Sequence, residues 1–411
     1  MVATAPVGKK AFFPGLTIVK GQHLLAAYRE GAAHIGQDGR IMVVDSTDGG
    51  RTWSPPRLGV DSPADERDPK LTTLRNGDLL MSYFLTDWSV TPNILRGTFV
   101  VRSTDGGVTW SEPAKVGSAM DCGCGAPSGP YLSGLNASHG EVTELPNGEL
   151  LVPLYGNRPN AGRGDATVVR STDGGRTWPK ESESVIAAGE TFDYQEPTLT
   201  VLKNRQLVVL IRTSINIAYL SRSTDGGRTW SPAERTDMPA SSHHLLTLAT
   251  GEVLLTYGDL SKKYSPGRPT VATIVRNPMG SWNSLATKLL YDSSTAGVTS
   301  DQANPASVEV RPGEFLTLTY NIYSRTLVGV FTKWGDYLPA LPPIAELDLK
   351  KLQQDGKLTV DTNLTWANAS QPARGPLAAL DGVKTFFNSA TLDRSGATGS
   401  YTVSFTGSQL V

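Results

Sequence analysis

The stretch STDGGRTWS at residues 46–54 returns as STDGGVTWS at 103–111, STDGGRTWP at 171–179 and STDGGRTWS at 223–231. A degenerate copy, RNPMGSWNS, occupies 276–284, and TKWGDY at 332–337 reads as a worn sixth. In each copy an aspartate and two glycines specify a tight turn that needs positive φ. The Ser and Thr hydroxyls close local hydrogen bonds, and the Trp is large enough to plug the space between neighbouring sheets. Near-verbatim repetition at intervals of tens of residues fixes the architecture before any single residue is considered.

Offset from the boxes lies a second repeat, an alternating strand, a short turn and a second apolar strand. Its six copies are GLTIVKGQHLLAAY (15–28), KLTTLRNGDLLMSY (70–83), EVTELPNGELLVPL (141–154), TLTVLKNRQLVVLI (198–211), LLTLATGEVLLTYG (245–258) and SVEVRPGEFLTLTY (307–320). Each reads as a β-hairpin. Hairpin, connector, third strand, box turn and fourth strand make a unit of about 55 residues. The expectation is an all-β fold, a six-bladed β-propeller with four-stranded blades over residues 1–340, followed by a short C-terminal extension, 341–411. LPALPP at 338–343 marks that boundary, and AELDLKKLQQ at 345–354 reads as a short helix. The alternating run TGSYTVSFTGSQLV at 398–411 weakly resembles the opening strand of a β-sandwich carbohydrate-binding module, here truncated.

Composition narrows the function classes. The 38 Lys+Arg against 39 Asp+Glu leave a net charge of −1, without the basic stripe that nucleic-acid binding requires. No apolar run approaches the ~20 residues of a membrane span, and MVATAPVGKK at residues 1–10 lacks the apolar core of a signal peptide. Cys122 and Cys124, one residue apart, make neither an unstrained disulfide nor a complete zinc site. A monomer without metal or cofactor is expected. Sequons begin at Asn136, Asn363 and Asn368.

The hairpins align without gaps on Val19, Leu74, Leu145, Leu202, Leu248 and Val310. Six positions earlier, where the innermost strand is expected to begin at the mouth of a central funnel, stand Phe13, Asp68, His139, Glu196, Ser242 and Asn304. Ten positions later stand Arg29, Phe84, Tyr155, Arg212, Gly258 and Tyr320. A propeller gathers such equivalent positions around one axis. Asp68 and Glu196 then form the carboxyl pair that acetal hydrolysis uses, and His139 between them tunes a pKa or carries the proton. Arg29, His34, Arg67, Arg212, Tyr155, Asn304 and Tyr320 are the substrate-binding candidates, the arginines offering forked donors to a sugar carboxylate. His243 and His244 read as hydrogen-bonded core histidines. Arg51, Arg176 and Arg228, inside the boxes, read as solvated turn residues.

The Ser-x-Asp-x-Gly-x-Thr-Trp box within six four-stranded units resembles the sialidase superfamily of propellers. YQEPTLTVLKNRQLVVLIRT at 194–213 is similar to the stretch in which a Glu opens an inner strand and an Arg closes the hairpin sixteen residues later. The resemblance implies that Glu196 supports the nucleophile and that Arg212 is one of three arginines gripping a carboxylate. Three landmarks depart from that pattern. Phe12-Phe13-Pro14-Gly15 stands for Phe-Arg-Ile-Pro, Gln302-Ala303-Asn304-Pro305 stands where the nucleophilic tyrosine belongs, and the acid/base aspartate position falls near His34. The expectation is a secreted, exo-acting, sialidase-like glycoside hydrolase with a rebuilt pocket, acting on a terminal sugar, acidic if the arginines bind it, of an oligosaccharide or polysaccharide. A uronate lyase, with His139 or a tyrosine taking the C5 proton, and a non-catalytic glycan-binding propeller are the alternatives.

Overall fold

The computed structural model of the protein describes residues 1–89, 94–120, 136–158, 162–293 and 301–338, with the backbone of 390–395 and 400–405. Strand β1 (Ala3–Thr4) opens the chain. Blade 1 follows as β2 (Lys10–Lys20), β3 (His23–Gly31), β4 (Arg40–Ser46) and β5 (Arg57–Val60). Blade 2 is β6 (Asp65–Thr73), β7 (Leu79–Asp87), β8 (Ile94–Ser103) and β9 (Ala114–Lys115). In blade 3 the innermost strand is split into β10 (Ala137–Ser138) and β11 (Thr143–Glu144), both paired with β12 (Leu150–Gly156), then β13 (Asp165–Ser171) and β14 (Ser184–Ala187). Blade 4 is β15 (Tyr194–Val201), β16 (Leu207–Thr213), β17 (Tyr219–Ser223) and β18 (Glu234–Arg235). Blade 5 is β19 (Ala240–Thr247), β20 (Val253–Asp259), β21 (Thr270–Val275) and β22 (Lys288–Tyr291).

Blade 6 corrects the expectation that each fourth strand follows its own box. Its strands are β23 (Ala306–Arg311), β24 (Glu314–Asn321) and β25 (Thr326–Lys333), and the outermost position is taken by β1, with Ala3 opposite Leu327. The Val2 amide donates to the Leu327 carbonyl at 2.9 Å and the Ala5 amide to the Arg325 carbonyl at 2.9 Å. The chain start is thereby stitched to its last blade, which closes the ring and covers an open sheet edge.

The boxes do the structural work expected of them. Ser46 Oγ donates to Asp48 Oδ1 at 2.8 Å, and Asp48 Oδ1 also accepts from the Arg51 and Thr52 amides at 2.9 Å. Gly49 and Gly50 take φ of 73° and 89°. Six tryptophans, including those of the degenerate copies, each enter a different interface between consecutive blades: Trp53, Trp110, Trp178, Trp230, Trp282 and Trp334. Arg51, Arg176 and Arg228 are exposed and bond their own box backbone.

One irregularity matters for function. The inner hairpin skips register between Phe12 and Gly15, Arg67 and Lys70, Gln195 and Thr198, and Ser241 and His244. At each skip a non-glycine residue is left-handed: Phe13 (φ 52°), Asp68 (49°), Glu196 (46°) and Ser242 (51°). Such backbone costs about 1–3 kcal/mol per residue and concentrates at sites where a side chain must be re-aimed. In blades 1, 2, 4 and 5 the axial ring therefore sits on bulges inside the inner strands, not at their starts as the alignment implied, whereas Asn304 precedes β23 and His139 lies between β10 and β11. Proline follows Phe13, Asp68 and Glu196, which a bulge tolerates because the ladder bond is already lost there.

The sequon at Asn136 is corrected. Asn136 is fully buried and its Oδ1 accepts from the Thr98 amide at 3.0 Å, so its side chain is not available for a glycan. Beyond Tyr337 lies a separate unit, Leu338–Val411, whose described backbone is a hairpin of β26 (Ala390–Ser395) and β27 (Ser400–Phe405). Cys122, Cys124, the helix expected at 345–354, and the sequons at Asn363 and Asn368 lie outside the described residues. No helix among the described residues is long and apolar enough to cross a membrane.

Candidate functional site

Four bulges and the split strand of blade 3 turn their side chains toward one another. Asp68, on the blade 2 bulge, accepts a hydrogen bond from Asn304 Nδ2 at 2.8 Å on Oδ1. Lys70, two residues on and buried, donates to Asn304 Oδ1 at 2.8 Å and to the Pro14 carbonyl at 3.0 Å. Burial pushes the Asp68 carboxyl up. The Arg67 and Lys70 charges oppose this, the charge of Glu196 adds to it, and the net shift is upward. Burial likewise lowers the Lys70 ammonium.

Glu196, on the blade 4 bulge, has the opposite environment. Arg212 Nη1 donates to Oε1 at 2.5 Å, and Oε2 accepts from the Ser242 amide at 3.1 Å and the Ser242 hydroxyl at 3.2 Å. Burial again raises the carboxyl, but Arg212 and then the His139, Arg268 and His243 groups outweigh it and hold Glu196 well below the usual carboxylate range. The pair opens to solvent, with 15% of the Glu196 side chain and 26% of Arg212 accessible.

His139 is buried beside Glu196, its Nε2 without a hydrogen-bond partner. Burial drives its pKa down to about 3 despite the Glu196 charge, so it is neutral in ordinary buffers. His244 bonds Glu141 at 3.0 Å, as expected of a core histidine. His243 departs from that expectation. It is buried, yet neither ring nitrogen has a partner, and burial lowers its pKa to about 3.

Other expected site residues stand behind this surface. Arg29 is fully buried, its Nε on Asp65 Oδ1 at 2.6 Å and its Nη atoms on the Ala33 and Gly36 carbonyls at 2.8 and 3.3 Å. Arg67 is also buried, bonding Asp65 Oδ2 at 3.1 Å and the His34 carbonyl at 2.5 Å, between the rings of Phe13, Phe84 and Trp88. Asp65 further accepts from Trp88 Nε1 at 2.7 Å. These two guanidinium groups, expected to meet substrate, instead pin the loop at residues 32–39 by its carbonyls. Tyr155 is half-buried against Phe84 and Ala137.

On that loop His34 faces blade 6. Its Nδ1 lies 2.8 Å from Asp301 Oδ1, which also accepts from the Tyr320 hydroxyl at 3.1 Å. Phe12 and Phe13 meet the imidazole edge-to-face. Tyr320 is fully buried, and burial with the Asp301 charge raises its phenol well above the ordinary value, so it stays protonated. Arg268, from the connection into β21, donates to the Gln302 and Ala303 carbonyls at 2.6 and 3.2 Å and fixes the approach to Asn304.

Asp68, His139, Glu196, Arg212 and Asn304 are thus brought together, with His34 and Tyr320 beside them. Lys70, Asp301, Arg268 and Asp65 escaped the sequence reading. Lys70 had a visible signal, a lysine two residues past Asp68 in the strand Asp65–Thr73. The others lie outside the hairpin register, where spacing carries no information.

Residues 22–311 match the family described as BNR repeat-like domain. A sialidase of Micromonospora viridifaciens is 30% identical over 244 residues, 53% of this chain and 35% of that protein. The chain spans about a third of the length of the curated relatives it matches. Among solved structures, a protein of unknown function from Dyadobacter fermentans superposes with a TM-score of 0.69 at 22% identity, covering 80% of this chain and 96% of that one. An α-L-arabinanase of Penicillium chrysogenum superposes at 0.58 with 15% identity, covering 82% and 98%.

Proposed function

The chain belongs to the BNR repeat-like domain family, within the sialidase superfamily of propellers, and on that premise we propose that it is a glycoside hydrolase acting on a terminal sugar of a glycan outside the cell. One observation carries the reading. Two carboxyl groups that feel each other's charge have environments that push their pKa values apart, Asp68 upward and Glu196 downward. A carboxyl pushed toward its protonated form near a carboxylate held ionised is the arrangement that splits an acetal.

In this reading Asp68 protonates the leaving oxygen while Asn304 holds its other oxygen. Glu196, kept ionised by Arg212 and Ser242, faces the positive charge that grows on the sugar, either as base to a water or as the attacking anion. Arg212, partly exposed beside Glu196, is the cation nearest to where an acidic substituent would lie. The buried phenol of Tyr320 is too basic to serve as an anionic nucleophile, so the carboxylate takes that part.

The test is a panel of 3′-sialyllactose, linear arabino-oligosaccharides and oligogalacturonate, with Asp68→Asn and Glu196→Gln as controls. Turnover by the wild type that falls about 10²- to 10⁴-fold in both variants supports the assignment. A product absorbing in the near ultraviolet makes the enzyme a lyase, and binding without turnover makes it a lectin-like propeller.

A further inference from the structure

Lys70 has no part in the hydrolysis described above, yet it lies buried among the residues that perform it. Taking an ammonium out of water is costly, and lysine is almost never fully buried without a partner. The same register position in the other blades holds Gly15, Glu141, Thr198, His244 and Ala306, so the repeat does not require a cation there. A hydroxyl suffices for a link to a neighbouring blade: Thr198 donates to the His243 carbonyl at 3.0 Å. Lys70 does more. Its Nζ donates at 3.0 Å to the Pro14 carbonyl of blade 1 and, at 2.8 Å, to Asn304 Oδ1 on the approach to blade 6. Asn304 in turn donates from Nδ2 to Asp68 Oδ1 at 2.8 Å.

We propose that Lys70 is a positioning residue for the acid, fixing the Asn304 amide so that Asp68 carries its proton on Oδ2, available to the leaving oxygen; this rests on the hydrolase reading above. An ammonium has three donors and no acceptor, so only the amide oxygen of Asn304 can face it. The NH₂ end then faces Asp68, whose Oδ1 must accept, and the proton of the neutral acid is left to Oδ2. Turned the other way, the amide oxygen would accept the O–H of the acid and hold that proton away from the sugar. Arg268 fixes the backbone ahead of Asn304 through the Gln302 and Ala303 carbonyls, so rotation of the amide is the freedom that Lys70 removes. The ammonium also joins Arg67 in opposing the burial that pushes Asp68 up. The charged and titratable groups around Asp68 and Lys70 are Arg67 on the same strand, His34 from blade 1, His139 and Glu141 from blade 3, Glu196 from blade 4 and Tyr320 from blade 6.

The experiment uses the full chain and whichever panel glycan the wild type hydrolyses. Lys70→Met, and Lys70→Thr with the residue that blade 4 carries at this register, are expected to lower kcat about 10- to 100-fold with KM within about twofold. With the cation gone, the high-pH limb of kcat/KM, where the acid loses its proton, is expected to move up by about one unit. Carbon-13 NMR of the aspartate-labelled free protein, with Asp68 assigned by its loss in Asp68→Asn, is expected to show the same upward move of its midpoint. A residue that only holds blades together would lower Tm and move neither midpoint. Asn304→Ala is expected to cost as much kcat as Lys70→Met, and the double variant to lose no more than about threefold beyond either, because the lysine acts through the amide. Wild-type kcat in either Lys70 variant, an unmoved Asp68 midpoint or additive losses in the double variant overturns the positioning role, while inactive Asp68→Asn and Glu196→Gln leave the hydrolase reading intact. Absence of wild-type turnover on the panel removes that reading and the role of Lys70 with it.

Discussion

Replacing Asp65 with alanine tests what the two buried arginines are for. Arg29 and Asp65 are both fully buried and 2.6 Å apart, and Asp65 also carries Arg67 and Trp88. Removing one member of a buried pair leaves an uncompensated charge, at a cost of about 3–5 kcal/mol. The propeller unit runs from Met1 to Tyr337, and at about 2.1 cal/mol/K per residue its unfolding entropy is roughly 0.7 kcal/mol/K. Asp65→Ala should therefore lower Tm by about 4–7 °C, followed by tryptophan fluorescence or calorimetry at pH 7. Arg29→Met alone should also destabilise, and the double variant should lose less than the sum, because the orphaned guanidinium is gone. A Tm within about 1 °C of wild type in Asp65→Ala, or an Arg29→Met that changes only KM, would refute this account and return Arg29 to the substrate.

Four further outcomes follow from the same contacts. Asp68→Asn should be inactive yet more stable than wild type at pH 8. The folded carboxyl ionises later than the unfolded one, so the wild type loses stability as pH rises past the unfolded value near 3.9, and equal melting temperatures at pH 8 would contradict the raised pKa. Glu196→Gln should do the reverse, because an ionised Glu196 stabilises the fold above the unfolded carboxylate pKa and that contribution fades as pH falls; melts at pH 4 and 7 compare the two. Deleting residues 1–5 removes β1 from blade 6 and should lower the melting temperature, measured on the full remaining chain, whereas an unchanged value would show that the ring closes without it. Gly50→Ala places a Cβ at φ 89° and 2.4 Å from Leu316 Cδ2, so chemical denaturation should register a loss of about 1–3 kcal/mol.

The sequence by itself determined the propeller and its blade count. Box turns and alternating hairpins are local signals: positive-φ glycines, an aspartate closing its own turn and period-two apolar positions specify structure within ten residues. It also placed Asp68, His139, Glu196 and Asn304 in one ring, because gapless register survives closure of the barrel of blades. Only the tertiary structure decided what those groups are chemically. Whether a carboxyl is neutral or ionised depends on burial and on charges that arrive from other blades, as Arg212 and Ser242 do at Glu196 and Asn304 does at Asp68. Arg29 and Arg67 carry the same donors in either reading, and it is Asp65, in another register, that turns them inward. His34 and Asp301 lie 267 residues apart. No spacing rule links them, and a hydrogen bond at that separation exists only once six sheets have closed around an axis and the first strand has sealed the last.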